Sequence, residues 1–176
     1  MAEMSESSLT ASFAQASRRR PLVVFFLDLD DVLITHRAAH GIGPGVGHMN
    51  TIDPVAMGMF NRLAEKAECQ KETDVRVVLI SARRRDRGIR QFLKRNGLAV
   101  RFHHHWRTDR DGPSRGHEVE RWLKQHPHVS DYLIFDDGPD FLPEQLPRHI
   151  RPQPYNGLTF ENFLQARKYL GLKATD

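Results

Sequence analysis

Three short apolar segments of the chain each end in residues that could do chemistry. LVVFFL (22–27) is followed by three aspartates within four positions, and YLIF (132–135) is followed by two. The carboxylates are Asp28, Asp30 and Asp31 after the first segment, and Asp136 and Asp137 after the second. A third segment, VRVVLI (75–80), ends at the hydroxyl of Ser81. Carboxylates can hold a metal ion, attack phosphorus or transfer a proton.

Gathering such carboxylates is unfavourable unless a cation neutralises them or some of them are protonated. Two carboxylates about 4 Å apart repel by roughly 4 kcal/mol at an effective dielectric constant near 20. Oxygen ligands without neighbouring cysteines or a clear histidine pair favour Mg²⁺, which takes one or two carboxylates and a substrate phosphate. The structural alternative is that these aspartates only cap helices and end strands. Two acidic sets after two apolar strands, with a hydroxyl after a third, favour the Mg²⁺ site.

Buried strands must position these residues. The three segments are short, apolar on both faces and rich in β-branched or aromatic residues, which predicts central parallel strands. LAVRFHH (98–104) predicts a further strand, and residues 149 and 150 a short edge strand. Helical patterns separate the strands, so we expect a three-layer, Rossmann-like α/β fold with helices on both faces of a parallel sheet. Ligands bind at the carboxyl ends of such strands, where the acidic residues and Ser81 converge.

The helices are predicted from capping residues and apolar stripes. Asp53 and Pro54 predict the start of one helix. Gly97 predicts the end of a helix that begins at Arg83, and another helix begins at Arg115. The last helix is expected to direct four apolar side chains inward, namely Phe160, Phe163, Leu164 and Leu170.

Length and composition predict one domain over residues 21–176, after a polar and disordered tail over residues 1–20. The net charge of +4 suits an anionic partner. The single cysteine, Cys69, excludes an internal disulfide and a metal–thiolate cluster. The apolar run before Asp28 is too short for a signal peptide or a membrane span. A soluble, cytoplasmic protein without membrane contact is therefore expected.

The motifs resemble those of the haloacid dehalogenase (HAD) superfamily over residues 22–137. FFLDLDDVLI resembles its first motif, VVLISAR its second, and YLIFDD its fourth. The chain looks most similar to the phosphatase domains of polynucleotide kinase-phosphatases and to the HAD domain of Swiss Army Knife RNA-repair proteins. The residues that carry this narrower resemblance are Ser81-x-Arg83, RGHEVERWL (115–123) and GLTFENFLQARKYL (157–170).

The resemblance implies a Mg²⁺-dependent phosphatase that forms an aspartyl phosphate. It makes Asp28 the nucleophile, and Asp30 the acid that protonates the leaving oxygen and afterwards activates water. Mg²⁺ is expected to bind Asp28, the backbone carbonyl of Asp30, and Asp136, with Asp137 as a second ligand or in the outer shell. Ser81 is expected to hydrogen-bond the phosphoryl oxygens.

The family also uses a cation, usually Lys, near the start of the helix before the fourth motif. Lys124 lies at the C-terminal end of that helix, about 14 Å along the axis from Arg115 and toward the far edge of the sheet. Arg115 begins the helix on the side of the site, so Arg115 is the expected catalytic cation. The sequence thus departs from the family pattern at two positions. Arg115 replaces the usual Lys, and Asp31 lies where many members have Gly and some have an acidic residue.

Two segments bear on the substrate. ARRRDRGIRQFLKR (82–95) indicates either a track for nucleic-acid phosphates or a solvated helix face, and Arg83 and Arg84 are the expected substrate contacts. The Gly-rich segment 36–50 predicts a long loop in place of a large cap domain, and the resulting open site favours a bulky substrate, such as a phosphorylated DNA or RNA end or a phosphoprotein. Two alternatives remain: a small-metabolite or protein phosphatase, and a catalytically silent module that binds phosphate or nucleic acid.

The segment FHHHW (102–106) contains three consecutive histidines. Consecutive side chains of a strand point to opposite faces, and no cysteine pair accompanies these histidines. The pattern therefore disfavours a zinc site and indicates a structural or incidental role.

Overall fold

The computed structural model describes residues 19–41, 51–153 and 155–174. Five strands in these ranges form one parallel sheet in the order β3-β2-β1-β4-β5. The strands are β1 (Leu22–Leu27), β2 (Asp74–Leu79), β3 (Arg101–Arg107), β4 (Val129–Phe135) and β5 (His149–Ile150). The helices are α1 (His36–Gly41), α2 (Pro54–Lys71), α3 (Ile89–Arg95), α4 (Arg115–Gln125) and α5 (Phe160–Tyr169). This architecture confirms the Rossmann-like α/β fold.

Strand β1 lies at the centre of the sheet, between β2 and β4. Because successive side chains alternate between the faces, Val23 and Phe25 pack with the layer of α2, α3 and α5. Val24 and Phe26 pack with the opposite layer, where α4 contributes Trp122. Helices cover both faces of β1, which explains why its sequence is apolar without interruption.

The segment 36–50, expected to be a long loop, begins with helix α1, and residues 42–50 lie outside the described residues. Thr35 begins this helix, since its Oγ1 accepts a hydrogen bond from the backbone N–H of Ala38. The same hydroxyl donates to Oδ2 of Asp53 at 2.8 Å, and Asp53 caps helix α2 as predicted. The expectation of a loop was wrong over the first six residues, because the glycine-rich run starts only at Gly41, the last residue of the helix.

The helix predicted from Arg83 is divided into two parts. Residues Ala82–Arg85 form a 3₁₀ turn, and α3 begins only at Ile89. Gly88 lies between the parts with φ of 85°, a left-handed conformation that glycine adopts without strain. Because of this division, the arginines of the turn do not share one continuous helix face with those of α3.

Helix α5 packs through a different stripe from the one expected. Phe163 and Ala166 are buried, whereas Phe160 and Leu164 are 56% and 42% exposed. Leu170 is partly buried against the core. The prediction was wrong for Phe160 and Leu164, because two stripes of this helix are apolar and only tertiary packing selects between them.

The histidines of β3 do not alternate regularly. Between Val77 and Leu79, β2 advances by two residues while the paired residues of β3 advance by five. The extra residues form a bulge at the edge of the sheet. The rings of His103 and His104 have centroids 4.1 Å apart, and so do those of His104 and His105. The expectation that these neighbours point to opposite faces was wrong.

The tail expected over residues 1–20 lies outside the described residues as far as residue 18. Arg19 and Arg20 lead into β1 and are exposed. None of the described helices is long and apolar enough to cross a membrane.

Candidate active site

The central strands end side by side and bring the predicted residues to one edge of the sheet. Leu27, the last residue of β1, pairs with Leu79 of β2 and with Phe135 of β4. Asp28 continues β1, and its backbone N–H donates to the carbonyl of Phe135 at 2.9 Å. Asp136 follows β4 in the same way, so the two acidic sets meet as expected.

Three carboxylates form a compact cluster at this edge. Oxygen atoms of Asp28, Asp136 and Asp137 all lie within 4.8 Å of one another. Asp28 is 6% exposed and Asp136 is 1% exposed. Burial raises the pKa of Asp136 to about 6, and the neighbouring charge of Asp28 contributes to the rise. Burial and Asp28 also raise the pKa of Asp137, although Arg115 lowers it, so these carboxylates favour a further cation or protonation.

The donor set of this cluster fits Mg²⁺. Its ligands are carboxylate oxygens alone, which are hard donors, and the group contains neither sulfur nor imidazole nitrogen. The carboxylate of Asp30 is not part of the group. The backbone N–H of Gly138 donates to Oδ1 of Asp136 at 2.8 Å and fixes the orientation of that carboxylate.

Arg115 connects two of the carboxylates. Its Nη1 donates to Oδ2 of Asp28 at 2.6 Å and also to Oδ2 of Asp136. Burial alone would lower the pKa of Arg115, but the two carboxylates raise it above its usual value. Lys124 is exposed at the other end of α4 and pairs with Glu120. The cation that pairs with Asp28 and Asp136 is therefore Arg115, which lies where the sequence predicts it.

Gly116 allows α4 to bring Arg115 to the site. A Cβ atom on Gly116 would lie 2.7 Å from the backbone nitrogen of Leu142 and 2.8 Å from Oε1 of Gln145. The Nε2 atom of Gln145 donates to the carbonyl of Gly116 at 2.9 Å. Gly116 was not predicted as a functional residue, since its only signal in the sequence is its place directly after the helix start.

Arg83 contacts Asp30. Its Nε donates to both carboxylate oxygens of Asp30, at 2.9 and 3.0 Å. Arg83 was expected to contact substrate, and in the structure its side chain orients Asp30. Asp31 has φ of 58° and belongs to the turn after β1, where its backbone N–H donates to the carbonyl of Ile34. Asp28 and Asp30 therefore each pair with an arginine, whereas Asp31 forms part of the turn.

Ser81 follows β2 at the same edge and is fully buried. Its Oγ accepts a hydrogen bond from the backbone N–H of Arg83 at 3.2 Å, so Ser81 caps the 3₁₀ turn. That bond uses an oxygen lone pair and leaves the hydroxyl hydrogen for a second partner.

Arg84 does not have the position of a substrate contact, which corrects the expectation from the sequence. The residue is 2% exposed. Its guanidinium donates to the carbonyls of Ile80, Ser81 and Thr108 and to Oε2 of Glu118, at 2.7–2.9 Å. Arg84 thus joins the ends of β2 and β3 to helix α4, and its role is structural.

Replacement of Arg84 by Ala is expected to lower the free energy of unfolding by about 3–5 kcal/mol, because it leaves Glu118 charged without its buried partner. Urea denaturation measures the change. Arg85 is the matched control, since it is the next residue and is exposed. Its replacement by Ala should change stability by no more than about 0.5 kcal/mol. Equal effects of the two changes would contradict the structural role of Arg84.

Comparison with known proteins gives one family. The family described as HAD domain in Swiss Army Knife RNA repair proteins matches residues 24–163. This range contains both acidic sets, Ser81 and helix α4, and it extends into α5. No curated protein and no solved structure matches the chain. The match confirms the resemblance to the HAD superfamily that is seen in the motifs, and this superfamily is of hydrolase and phosphatase type. The chain belongs to the family of HAD domains found in Swiss Army Knife RNA repair proteins.

Proposed function

We propose that this protein is a Mg²⁺-dependent phosphatase that removes terminal phosphates from nucleic acid through an aspartyl phosphate on Asp28. The observation that carries the proposal is the cluster of Asp28, Asp136 and Asp137 with Arg115 at the carboxyl edge of the sheet. Such an edge is where open α/β sheets bind their ligands. The name of the family, which refers to RNA repair, supports a phosphorylated RNA end as the substrate.

Asp28, Asp136 and Asp137 would hold Mg²⁺, together with the backbone carbonyl of Asp30. When bound there, Mg²⁺ would neutralise charge on the phosphoryl group and relieve the repulsion among the carboxylates. Arg115 supplies a permanent positive charge beside Asp28. Phosphoryl transfer depends mostly on positioning and on charge stabilisation, and these residues supply both.

The proposed reaction has two steps. In the first, a carboxylate oxygen of Asp28 forms a bond to phosphorus, the bond from phosphorus to the leaving oxygen breaks, and Asp30 gives its proton to that oxygen. In the second, Asp30 takes a proton from water, and the resulting hydroxide attacks the aspartyl phosphate. Inorganic phosphate leaves and Asp28 is again a carboxylate. Arg83 keeps the carboxylate of Asp30 in one orientation.

Exposed arginines support a polyanionic substrate. Arg84 is buried and Arg83 pairs with Asp30, so the exposed basic residues of segment 82–95 are Arg85, Arg87, Arg90, Lys94 and Arg95. Arg90 lies over the ring of Trp106, 4.9 Å from its centroid. The proposed track for nucleic-acid phosphates is therefore carried by these exposed residues.

Phosphate release tests the proposal directly. The substrates are RNA and DNA oligonucleotides with a 3′- or 5′-phosphate, a phosphopeptide and p-nitrophenyl phosphate, each with Mg²⁺ and with EDTA. We expect turnover only with Mg²⁺, and the highest kcat/KM on a phosphorylated RNA end. An Arg85→Ala/Arg87→Ala variant should lose about tenfold in kcat/KM on oligonucleotides and have a shallower salt dependence. Lys124→Ala, at the far end of α4, is the matched control.

The panel also separates the alternatives. If none of the substrates releases phosphate, the enzyme proposal is overturned and a binding module remains. A preference for the phosphopeptide or p-nitrophenyl phosphate, with no effect of the arginine changes, would retain a phosphatase but exclude nucleic acid as its substrate.

A further inference from the structure

Four histidines lie together at the edge of the sheet, away from the acidic cluster. Ring nitrogens of His103, His104, His105 and His126 all lie within 4.8 Å of one another. Three of these residues come from the bulge in β3, and His126 follows the last residue of α4. Helix α4 separates this group from Arg115 by roughly 16 Å along its axis. The histidines are therefore not part of the proposed phosphatase site.

The hydrogen bonds of His126 leave one nitrogen with a lone pair that faces the group. Its Nδ1 lies 2.6 Å from the carbonyl oxygen of Trp122, and because a carbonyl only accepts, Nδ1 donates. The Nε2 atom of the neutral ring is then an acceptor, and it lies 2.7 Å from Nδ1 of His105. A histidine that donates one N–H to a backbone carbonyl and presents the other nitrogen is the usual arrangement of a metal ligand.

Trp122 holds both of these histidines in place. Its ring stacks on the ring of His126 with centroids 3.8 Å apart and an angle of 18°. Its Nε1 donates to the carbonyl of His105 at 3.0 Å. The side chain of Trp122 is buried, so the backbone of the bulge and the ring of His126 are positioned by the core. This support is of the kind that a precise binding site needs.

We propose that His104, His105 and His126 bind a divalent transition-metal ion, of which Zn²⁺ is the representative. Imidazole nitrogen suits Zn²⁺, Cu²⁺ and Ni²⁺, and it does not suit Mg²⁺, which prefers oxygen. At a Zn–N distance of about 2.0–2.1 Å, tetrahedral ligand nitrogens lie about 3.3 Å apart, so small movements of the side chains close the site. His104 and His105 are exposed and can make these movements.

His103 has a supporting role in this site. Its Nδ1 accepts a hydrogen bond from the backbone N–H of His105 at 3.1 Å, so the proton of the neutral ring lies on Nε2. The ring packs against His126, with centroids 5.0 Å apart, and is buried. Solvent reaches the three ligands through a surface pocket that His104, His105 and His126 line together with Trp122. Solvent is then available for a fourth coordination position.

Zinc binding to the full chain tests this site. Binding is measured by competition with a chromophoric chelator in a large excess of Mg²⁺, which would occupy the proposed site in the acidic cluster. We expect one Zn²⁺ per chain. His104→Gln/His105→Gln should weaken binding by at least about 100-fold, since even the partner of a metal ligand is worth 10- to 100-fold in affinity. Both residues are exposed, so the variant keeps the buried histidines and the fold.

Two controls make the result specific. His128→Gln removes an exposed histidine whose ring lies near the group, 5.9 Å from the ring of His126, and it should change the dissociation constant by less than about threefold. Asp136→Asn alters the acidic cluster and should leave Zn²⁺ binding unchanged. As a second readout, Co²⁺ bound to the wild type should give the absorption of tetrahedral nitrogen coordination. The proposed site would be overturned if the wild type bound no Zn²⁺ in the presence of Mg²⁺, or if the double variant kept wild-type affinity for Zn²⁺. Loss of Zn²⁺ binding in Asp136→Asn would overturn it as well.

Discussion

Asn in place of Asp28 is expected to lower kcat for phosphate release by at least about 10⁴-fold. The amide of Asn has the shape of the carboxylate, and its oxygen can still accept the backbone N–H of Leu29, as Oδ1 of Asp28 does at 2.8 Å. The amide is a poor nucleophile toward phosphorus, however, and it offers no charge to Arg115. Release of p-nitrophenolate and of phosphate from an oligonucleotide measures the loss.

Asp31→Asn is the matched control for this change. Asp31 is three residues away and is also an acidic residue, but it lies in the turn with φ of 58°, a conformation that Asn tolerates well. We expect kcat of the control to stay within about threefold of the wild type. Substantial turnover by Asp28→Asn, or an equal loss in both variants, would contradict the assignment of Asp28 as the nucleophile.

Arg115 gives the acidic edge a feature that the usual lysine of the superfamily would supply differently. One guanidinium nitrogen donates to Asp28 and Asp136 together, so a single cation offsets the charge of two buried carboxylates. A guanidinium is planar and always charged, and it cannot lose its proton in this site. The carboxylates are therefore held near each other, as a Mg²⁺ site on this edge requires.

The central strands and the carboxylates were predictable because their signals are local. An apolar run such as LVVFFL needs cover on both faces, and a parallel sheet puts the carboxyl ends of its strands at one edge. The position of Arg115 followed from the same topology, since α4 begins at that edge. These features depend on the order of the elements and on little else.

Other features depended on tertiary contacts that the sequence pattern does not contain. Arg84 is buried because Glu118, 34 residues later, and three carbonyls meet its guanidinium. His103, His104 and His105 come together because β3 bulges against β2, which strict alternation does not allow for. Helix α5 carries two apolar stripes, and only packing against the sheet decides that Phe163 is buried.

Asp30→Asn should separate the two steps of the proposed reaction. The ribose oxygen of an RNA end leaves poorly unless it is protonated, so loss of the acid should lower kcat on a phosphorylated oligonucleotide by about 10²- to 10⁴-fold. Nitrophenolate leaves without a proton, so Asp28 should still attack p-nitrophenyl phosphate. Water is no longer activated in this variant, and the aspartyl phosphate should therefore accumulate.

Rapid mixing of Asp30→Asn with p-nitrophenyl phosphate tests this expectation. The variant should release close to one equivalent of nitrophenolate in a burst and then turn over slowly, and its mass should increase by one phosphoryl group. The double variant Asp28→Asn/Asp30→Asn should show no burst, because it lacks the carboxylate that accepts the phosphoryl group. Equal losses on both substrates without a burst would mean that Asp30 does not act on the leaving oxygen and on water. Arg83, which holds both oxygens of Asp30, would then serve only to shape the turn after β1.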